Sequence, residues 1–382
     1  MNAYLVVFLV AAGVTLVTTP LVRRLVIRVG AIDHPSDRKV HPKDTPTMGG
    51  IAMWVGFVAA LLASRLLPFF DEANAGSPEP LAALVTCSLM VVLGVIDDTR
   101  GTTALSKLTA QLFIAGTLVL LGVQLAYFWL PGGGPGGQVV SLSPDLAAIL
   151  TVVWVVSVAN AVNLVDGLDG LAAGMVGIAA TAFFIYMSRT PSTFGDASMA
   201  ALLSAITVGI CVGFLPWNFH QAKIFMGDSG SMLLGMLLAI STISGVGRNP
   251  YEPSGGDLAA VAGVLVVPLL VLFVPFLDVA LAIVRRTRRG QGIGHADKEH
   301  LHHRLMDIGH GHREAVLLMY LWSALISGAG LAIGLIDGRL LVGLILVAVV
   351  TLFLVTALPR LTERRRNGDD GPVAAGGNGE PT

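Results

Sequence analysis

The sequence has little charge and almost no cysteine. Only 13% of its 382 residues are charged, about half the share found in an ordinary soluble domain. The 24 Lys and Arg nearly balance the 25 Asp and Glu, which gives a net charge of −1. This composition excludes a soluble enzyme, a disordered chain and a protein that binds nucleic acid through a basic surface. Cys87 and Cys211 lie in apolar runs, which indicates buried hydrophobes rather than a disulfide or a metal pair.

Apolar sequence is abundant instead, with 54% hydrophobic residues and a mean hydropathy of +0.76. Runs of about 17–25 apolar residues are long enough to cross a bilayer as helices. Eleven such runs are predicted, at about 3–22, 48–67, 81–96, 104–122, 145–160, 171–187, 198–215, 231–246, 258–284, 314–335 and 339–357. The first has no basic region before it and no cleavage site, so it is expected to be an uncleaved span. The predicted fold class is an all-α polytopic membrane protein.

The distribution of basic residues predicts the orientation in the membrane. When Lys and Arg are assigned to the loops on alternate sides, 20 of the 24 fall on one side. Because basic residues collect in cytoplasmic loops, the N-terminus is expected outside and the C-terminus in the cytoplasm. On the outer side, a Gly- and Pro-rich stretch at 131–137 separates two apolar stretches, 123–130 and 138–142, that predict a short β-hairpin.

Two adjacent carboxylates, Asp97 and Asp98, end the third predicted span. The two carboxylates repel each other. A divalent cation, or a phosphate-bearing substrate with its metal, would offset both negative charges. A solvated helix end with Arg100 as the ion-pair partner is the alternative. Lys107, on the fourth span, either reaches a phosphate or extends to the membrane interface.

Four polar residues recur every third position after the fifth span, namely Asn160, Asn163, Asp166 and Asp169. On a regular α-helix a three-residue step drifts by about 60°, so the four would spread around half of the helix. A tighter turn near Gly167 and Gly170 would bring them to one face. Helix capping explains one or two of these residues, so the group indicates a metal–diphosphate or sugar site.

Asp228 lies between two glycines, just before the eighth span. Its place at a third span end on the same side favours a metal ligand. The alternative is an ordinary helix N-cap, helped by Ser229 and Ser231.

A dense group of histidines lies in the most basic loop, where His300, His302 and His303 are followed by Arg304. Imidazoles that hold a phosphate are the favoured interpretation. Zinc is less favoured, because no cysteine is near and the spacing fits no structural zinc pattern; a solvated loop is the third alternative. Together the motifs predict a phosphate-bearing cytosolic substrate, Mg²⁺ or Mn²⁺, and a second substrate in the lipid.

Four motifs carry a family resemblance in this order: IDDTRG at 96–101, NAVNLVDGLDGLAAG at 160–174, MGDSGSMLLG at 226–235 and HADKEHLHHRL at 295–305. They resemble the polyprenyl-phosphate N-acetylhexosamine-1-phosphate transferase superfamily, also called glycosyltransferase family 4. The sequence is most similar to its bacterial WecA/TagO branch, which transfers N-acetylglucosamine 1-phosphate from UDP-GlcNAc to undecaprenyl or decaprenyl phosphate. The MraY branch typically has three consecutive histidines where this chain has His-Leu-His-His.

The resemblance implies a role for each matching residue. Asp97 and Asp98 match the catalytic pair, and Asn163 and Asp228 match the Mg²⁺ site. The implied substrate-binding residues are Lys107, Asn160, Asp166, Asp169, His300, His302, His303 and Arg304. Lys43 is offset by one position from the MraY pattern, so the resemblance assigns it no role.

The resemblance also implies the reaction and its setting. A lipid phosphate oxygen displaces UMP from UDP-GlcNAc, with a route through a phosphorylated Asp98 as the rival mechanism. Residues 1–358 would form one transmembrane catalytic domain and 359–382 a basic, then disordered tail. The site would face the cytoplasm from a bacterial cytoplasmic membrane, and a homodimer is compatible with the family. One alternative is another UDP-N-acetylhexosamine donor, such as UDP-MurNAc-pentapeptide. A cation- or proton-coupled transporter is more remote, because the motif carboxylates lie at span ends and Asp278 is the one acid well inside an apolar run.

Overall fold

A computed structural model describes residues 2–33, 44–130, 138–188, 197–248 and 311–333, with Thr287 and Val347 as isolated positions. These ranges are mostly helical. The α-helices are α1 (Asn2–Val29), α2 (Gly50–Ser64), α3 (Asp71–Gly76), α4 (Glu79–Arg100), α5 (Ala104–Leu120), α6 (Pro144–Val165), α7 (Leu171–Met187), α8 (Met199–Asn218), α9 (Gly227–Thr242) and α10 (His312–Ile333). A 3₁₀ turn (Pro68–Phe70) precedes α3, and a π-helical turn (Ile243–Gly247) follows α9.

The apolar helices identify a membrane-embedded protein. In the part of the chain that the structure describes, α1, α4, α6 and α8 are each long and apolar enough to cross a bilayer. A fifth span results if α2 and the segment Pro68–Gly76, which bends from it by 90°, are taken together. Helices α5 and α7 are apolar but shorter. The spans predicted at 258–284 and 339–357 lie outside the described ranges, apart from Val347, so the total of eleven stays a prediction.

Helix α9 is the most enclosed of the helices that the structure describes. Every side chain from Ser229 to Thr242 is buried, and the helix packs against α4, α6, α8 and α2. Small residues allow this close packing: a Cβ added to Gly235 would lie 2.6 Å from the Cα of Ala159 on α6. Close approach through small residues is typical of helices packed in membranes. Cys87 and Cys211 are buried and unbridged, as predicted.

Helices α4 and α9 run antiparallel, and their far ends are joined by an ion pair. Arg248, just after the π-helical turn, donates to the carboxylate of Glu79, the first residue of α4, at 3.1 Å. The Glu79 side chain is only 3% exposed. This pair lies at the opposite end of α4 from Asp97 and Asp98.

Two short antiparallel strand pairs lie between helices. Strands β3 (Tyr127–Leu130) and β4 (Gln138–Ser141) pair with Tyr127 opposite Ser141, within the two stretches predicted to form a hairpin. Strands β1 (Ile32–Asp33) and β2 (Thr45–Pro46) also pair, and the sequence analysis did not predict them. The side of the membrane on which each pair lies stays a prediction.

Candidate active site

Three of the sequence motifs meet at one end of the helix bundle. The ammonium of Lys107 on α5 donates to Asp97 Oδ2 on α4 at 2.8 Å and also contacts the carboxylate of Asp228 on α9. The amide of Asn163 on α6 donates to Asp228 Oδ1 at 2.8 Å and to the Ser231 hydroxyl at 2.9 Å. Asp97, Lys107, Asn163 and Asp228 are called the carboxylate–lysine cluster below. Four helices contribute one side chain each.

The turn between α4 and α5 places Lys107 beside Asp97. Helix α4 ends at Gly101, whose φ of +66° lies in the region that favours glycine. The backbone amide of Thr102 donates to Asp97 Oδ1 at 2.7 Å, and the Thr102 hydroxyl donates to the same oxygen. The Thr103 side chain then caps α5 by accepting from the backbone amide of Ser106. Asp97 is therefore oriented by a local turn and paired with a lysine, rather than solvated beside Arg100.

Asp98 has a different role from its neighbour. Its two carboxylate oxygens accept hydrogen bonds from the backbone amides of Asp228, at 2.9 Å, and Ser229, at 3.2 Å. These amides belong to the first turn of α9, so Asp98 caps that helix from α4. The alternative that Asp228 is an ordinary N-cap does not hold, because the capping carboxylate comes from another helix and the Asp228 side chain lies in the cluster.

Glycines let the first turn of α9 approach its neighbours. A Cβ at Gly94 on α4 would lie 2.3 Å from the backbone nitrogen of Ser229, and one at Gly50 on α2 would lie 2.1 Å from the backbone nitrogen of Gly230. Gly227, at φ +69°, passes so close to Asp98 that a Cβ there would lie 2.5 Å from Oδ2. The amides of Gly49 and Gly50 donate to the carbonyls of Phe225 and Met226, each at 2.9 Å. Backbone packing thus fixes the position of Asp228.

The four polar residues spaced by three make different contacts. Asn160 donates to Gln111 on α5 at 2.6 Å, deeper in the bundle than Asn163. Asp166 caps the end of α6, and Asp169 lies in the turn before α7, where its Oδ2 accepts from the backbone amide of Ala222 at 3.1 Å. Asn160, Asn163 and Asp169 thus have separate hydrogen-bond partners, and the shared face stays a prediction.

Negative charge is concentrated at this end of the bundle. Burial raises the pKa of Asp166 well above its usual value, and the charges of Asp228, Asp98 and Asp169 raise it further. Within the described residues, Lys107 forms ion pairs at this end with Asp97 and Asp228. Carboxylate and amide oxygens are the ligands that Mg²⁺ takes in proteins, so the cluster fits a hard divalent cation.

Sequence reasoning missed several polar residues near this end. Gln111 and Thr102 support Asn160 and Asp97 through the hydrogen bonds given above. His220 and His312 lie close to Asp169, with one potential ligand atom of each residue within 4.8 Å of the others. Neither histidine belongs to a spaced motif, so no sequence signal identified them. The predicted residues His300, His302, His303 and Arg304, together with Lys43 and Asp278, lie outside the described ranges.

Comparison with known proteins assigns the chain to a family. The profile of glycosyl transferase family 4 matches residues 80–246, which contain all four members of the carboxylate–lysine cluster. The decaprenyl-phosphate N-acetylglucosaminephosphotransferase of Mycolicibacterium smegmatis is 40% identical over 370 residues, which cover 95% of this chain and 89% of that protein. The chain belongs to glycosyl transferase family 4. The resemblance inferred from the four motifs is therefore confirmed. The chain is an enzyme that transfers a sugar phosphate.

Two further relatives show the range of this glycosyl transferase family. The probable undecaprenyl-phosphate N-acetylglucosaminyl 1-phosphate transferase of Bacillus subtilis is 35% identical, with 83% of this chain and 81% of that protein covered. The phospho-N-acetylmuramoyl-pentapeptide-transferase of M. smegmatis is 31% identical, with 85% and 94% covered. Both names describe transfer of a sugar phosphate, which speaks against the ion-coupled transporter alternative.

Proposed function

We propose that this family member transfers N-acetylglucosamine 1-phosphate from UDP-GlcNAc to a polyprenyl phosphate of undecaprenyl or decaprenyl length, with release of UMP. The observation that carries the proposal is the convergence of Asp97, Asn163 and Asp228 on Lys107. This arrangement combines oxygen ligands for a metal with a cation for a diphosphate. The relatives that are 40% identical are named for the same transfer.

The relatives favour GlcNAc over the muramoyl-pentapeptide donor. Identity to the GlcNAc-phosphate transferases reaches 40%, against 31% to the muramoyl-pentapeptide transferase from the same organism. The spacing of His300, His302 and His303 agrees with this choice. The product, polyprenyl-diphosphate-GlcNAc, is suited to begin a cell-envelope glycopolymer.

A Mg²⁺ ion, or Mn²⁺ in its place, would be held by oxygens of Asp97, Asp228 and Asn163. When bound, it would neutralise charge on the diphosphate of the donor. Lys107 lies between the two carboxylates and binds diphosphate oxygens from the side of α5. Asp98 keeps Asp228 in place through the first turn of α9.

Direct attack by the acceptor agrees best with these positions. The second pKa of a phosphate monoester is about 6, so the lipid phosphate is largely ionised near neutral pH and needs no strong base. One of its oxygens forms a bond to the β-phosphorus of the donor while the bond from that phosphorus to UMP breaks. Lys107 and the oriented carboxylates contribute by positioning the diphosphate and balancing its charge.

The rival route through a phosphorylated Asp98 is less well supported. A nucleophilic carboxylate needs a free oxygen that faces the phosphorus. Both oxygens of Asp98 already accept backbone hydrogen bonds from α9, at 2.9 and 3.2 Å. Attack by Asp98 would remove the cap that holds Asp228.

The proposed setting is a bacterial cytoplasmic membrane with the cluster facing the cytoplasm. UDP-sugars are soluble cytosolic donors, and the predicted loops at this end carry most of the basic residues. Residues 1–358 form the catalytic membrane domain in this proposal, followed by the tail at 359–382. Both monomer and homodimer are compatible with it.

The proposal is tested by release of labelled UMP from UDP-GlcNAc by the purified full-length protein. The expected result is release that requires both polyprenyl phosphate and Mg²⁺, and that Asp228→Asn abolishes. Asp145→Asn is the matched control, because Asp145 lies in the first turn of α6, at the opposite end of that helix from Asn163. Turnover of UDP-MurNAc-pentapeptide but not of UDP-GlcNAc would overturn the donor assignment.

The same preparation separates the two mechanisms. Direct attack predicts that labelled UMP does not exchange into UDP-GlcNAc when lipid phosphate is absent. A phosphorylated Asp98 would support that exchange without the lipid, and Asp98→Asn would remove it.

A further inference from the structure

A second group of metal-ligating side chains lies beside the carboxylate–lysine cluster. It consists of Asp169 in the turn between α6 and α7, His220 just after α8, and His312 at the start of α10. One potential ligand atom from each residue lies within 4.8 Å of the other two. The two imidazole rings are 5.4 Å apart between centroids and inclined by 41°. These three residues are called the Asp–His–His group.

The backbone around this group is held by hydrogen bonds. Asp169 Oδ2 accepts from the backbone amide of Ala222 at 3.1 Å, which orients the carboxylate. The amide of Gly170 donates to the Asn218 side chain at 3.1 Å, and the Tyr320 hydroxyl donates to the carbonyl of Gly170. The turn before α7, the segment after α8 and helix α10 are therefore connected before any ligand binds. Metal ligands are commonly oriented by such outer hydrogen bonds.

One atom of the group has no partner in the part of the chain that the structure describes. The Nε2 atom of His312 is buried and makes no hydrogen bond with the described residues. A buried polar atom without a partner is costly, and most such atoms in proteins are satisfied. A cation that the group bound through Nε2 would satisfy this nitrogen.

We propose that the Asp–His–His group is a binding site for a transition-metal dication, with Zn²⁺ as the best match. Two imidazole nitrogens and one carboxylate oxygen suit zinc, whereas magnesium takes oxygen ligands and retains several waters. The carboxylate–lysine cluster offers only oxygens to a metal, so the two sites select different ions. His220 is exposed, which leaves room for water to complete the coordination.

Occupation of this site has a structural consequence. One ion would join the α6–α7 turn, the segment after α8 and the start of α10. Asp166 lies in the same turn, which faces the carboxylate–lysine cluster. The ion would therefore limit the motion of this turn relative to the cluster. The inference goes beyond the proposed transfer reaction, and zinc binding does not depend on which donor is used.

Zinc binding is measured by isothermal titration calorimetry of the full-length protein in excess Mg²⁺. Alanine replaces His300, His302 and His303 in the parent protein, so that the other histidine motif does not contribute. The expected result is one bound Zn²⁺ per chain. His220→Ala, His312→Ala and Asp169→Asn should each raise the Kd at least about tenfold, since even outer-shell changes cost 10–100-fold. Asp145→Asn, the matched carboxylate control, should leave the Kd unchanged.

A direct measurement keeps the inference testable if a variant fails to fold. X-ray absorption at the zinc K edge of the parent protein should give two imidazole ligands with oxygen completing the shell. Spectra with no imidazole, or with one, overturn the proposal. So does an absence of Zn²⁺ binding by the parent, or a Kd that is the same in His220→Ala and His312→Ala as in the parent.

Discussion

The carboxylate of Asp98 on α4 accepts a 2.9 Å hydrogen bond from the backbone amide of Asp228 on α9. Two acidic residues that are 130 positions apart in the chain are thus joined through the backbone of one and the side chain of the other. The contact leaves the Asp228 carboxylate with Lys107 and Asn163. In the proposed reaction Asp98 is a positioning residue, and Asp97 is the member of the pair that lies in the cluster.

Replacing Asp98 should affect both folding and turnover. Asp98→Ala removes two acceptors from the first turn of α9, and loss of a cap costs about 0.5–2 kcal/mol. Because Asp228 then loses its fixed position, UMP release should fall by about 100-fold or more. Thermal unfolding in detergent and the UMP assay measure the two effects. Asp71→Asn, at an exposed acid in the first turn of α3, serves as the control; equal effects of both substitutions would contradict the assignment.

Lys107 should be required for turnover rather than for membrane insertion. Lys107→Met leaves Asp97 and Asp228 without their shared cation, and removal of one charge-stabilising donor costs about 10²–10³ in rate. Lys107→Arg should not restore full activity, because a planar guanidinium cannot replace a compact ammonium between two carboxylates. The control is Lys223→Met, since Lys223 lies over the Trp217 ring at 5.2 Å. Full activity of the Lys107→Met protein would exclude the proposed role.

Removal of divalent metal should stop the transfer. EDTA is expected to abolish UMP release, and added Mg²⁺ or Mn²⁺ to restore it. Asp97→Asn should raise the Mg²⁺ concentration for half-maximal rate by about tenfold or more, because one charged ligand is lost. Activity that persists after chelation, with no metal detected in the protein, would refute a metal-dependent cluster.

The close packing of α4 on α9 can be tested with a pair of glycines. Gly94→Ala places a methyl group 2.3 Å from the backbone of Ser229, and such overpacking costs typically about 1–3 kcal/mol. It should also lower UMP release by moving the first turn of α9. Gly116→Ala on α5 meets no atom within 4 Å, so it should be neutral or stabilising. Equal stability of the two variants would show that the contact is not tight.

The far end of α4 supplies a test that is remote from the cluster. Arg248→Ala leaves the buried Glu79 carboxylate without its partner, and breaking a buried pair from one side costs about 3–5 kcal/mol. The double variant Glu79→Gln with Arg248→Met removes both charges and should recover most of the lost stability. Thermal unfolding of the two proteins measures this recovery. A double variant no more stable than Arg248→Ala would contradict the ion-pair explanation.

The apolar helices were the most predictable part of the fold. The run predicted at 171–187 coincides with α7, and that at 104–122 differs from α5 only at its end. Hydrophobic length alone carries this information, because a span must cover the bilayer core. The β1–β2 pair had no such signal, since each strand has only two residues.

The members of the site were predictable, but their partners were not. Asp97, Asn163 and Asp228 could be selected because polar residues at the ends of apolar runs are expensive. Asp98 can cap α9 because Gly94 allows the two helices to approach closely. No local sequence pattern predicts that approach. His220 and His312 are far apart in the chain, and only the folded arrangement brings them to Asp169.

The contacts at the two ends of α4 together determine how the bundle can move. Glu79 and Asp98 are roughly 30 Å apart along this helix, and each is joined to one end of the α9 region, through Arg248 and through the amide of Asp228. A slide of one helix past the other by a single turn, about 5.4 Å, would break both contacts at once. Shear between α4 and α9 is therefore disfavoured. Any opening that admits a long lipid must come from other helices, while the two that carry Asp97 and Asp228 stay in register.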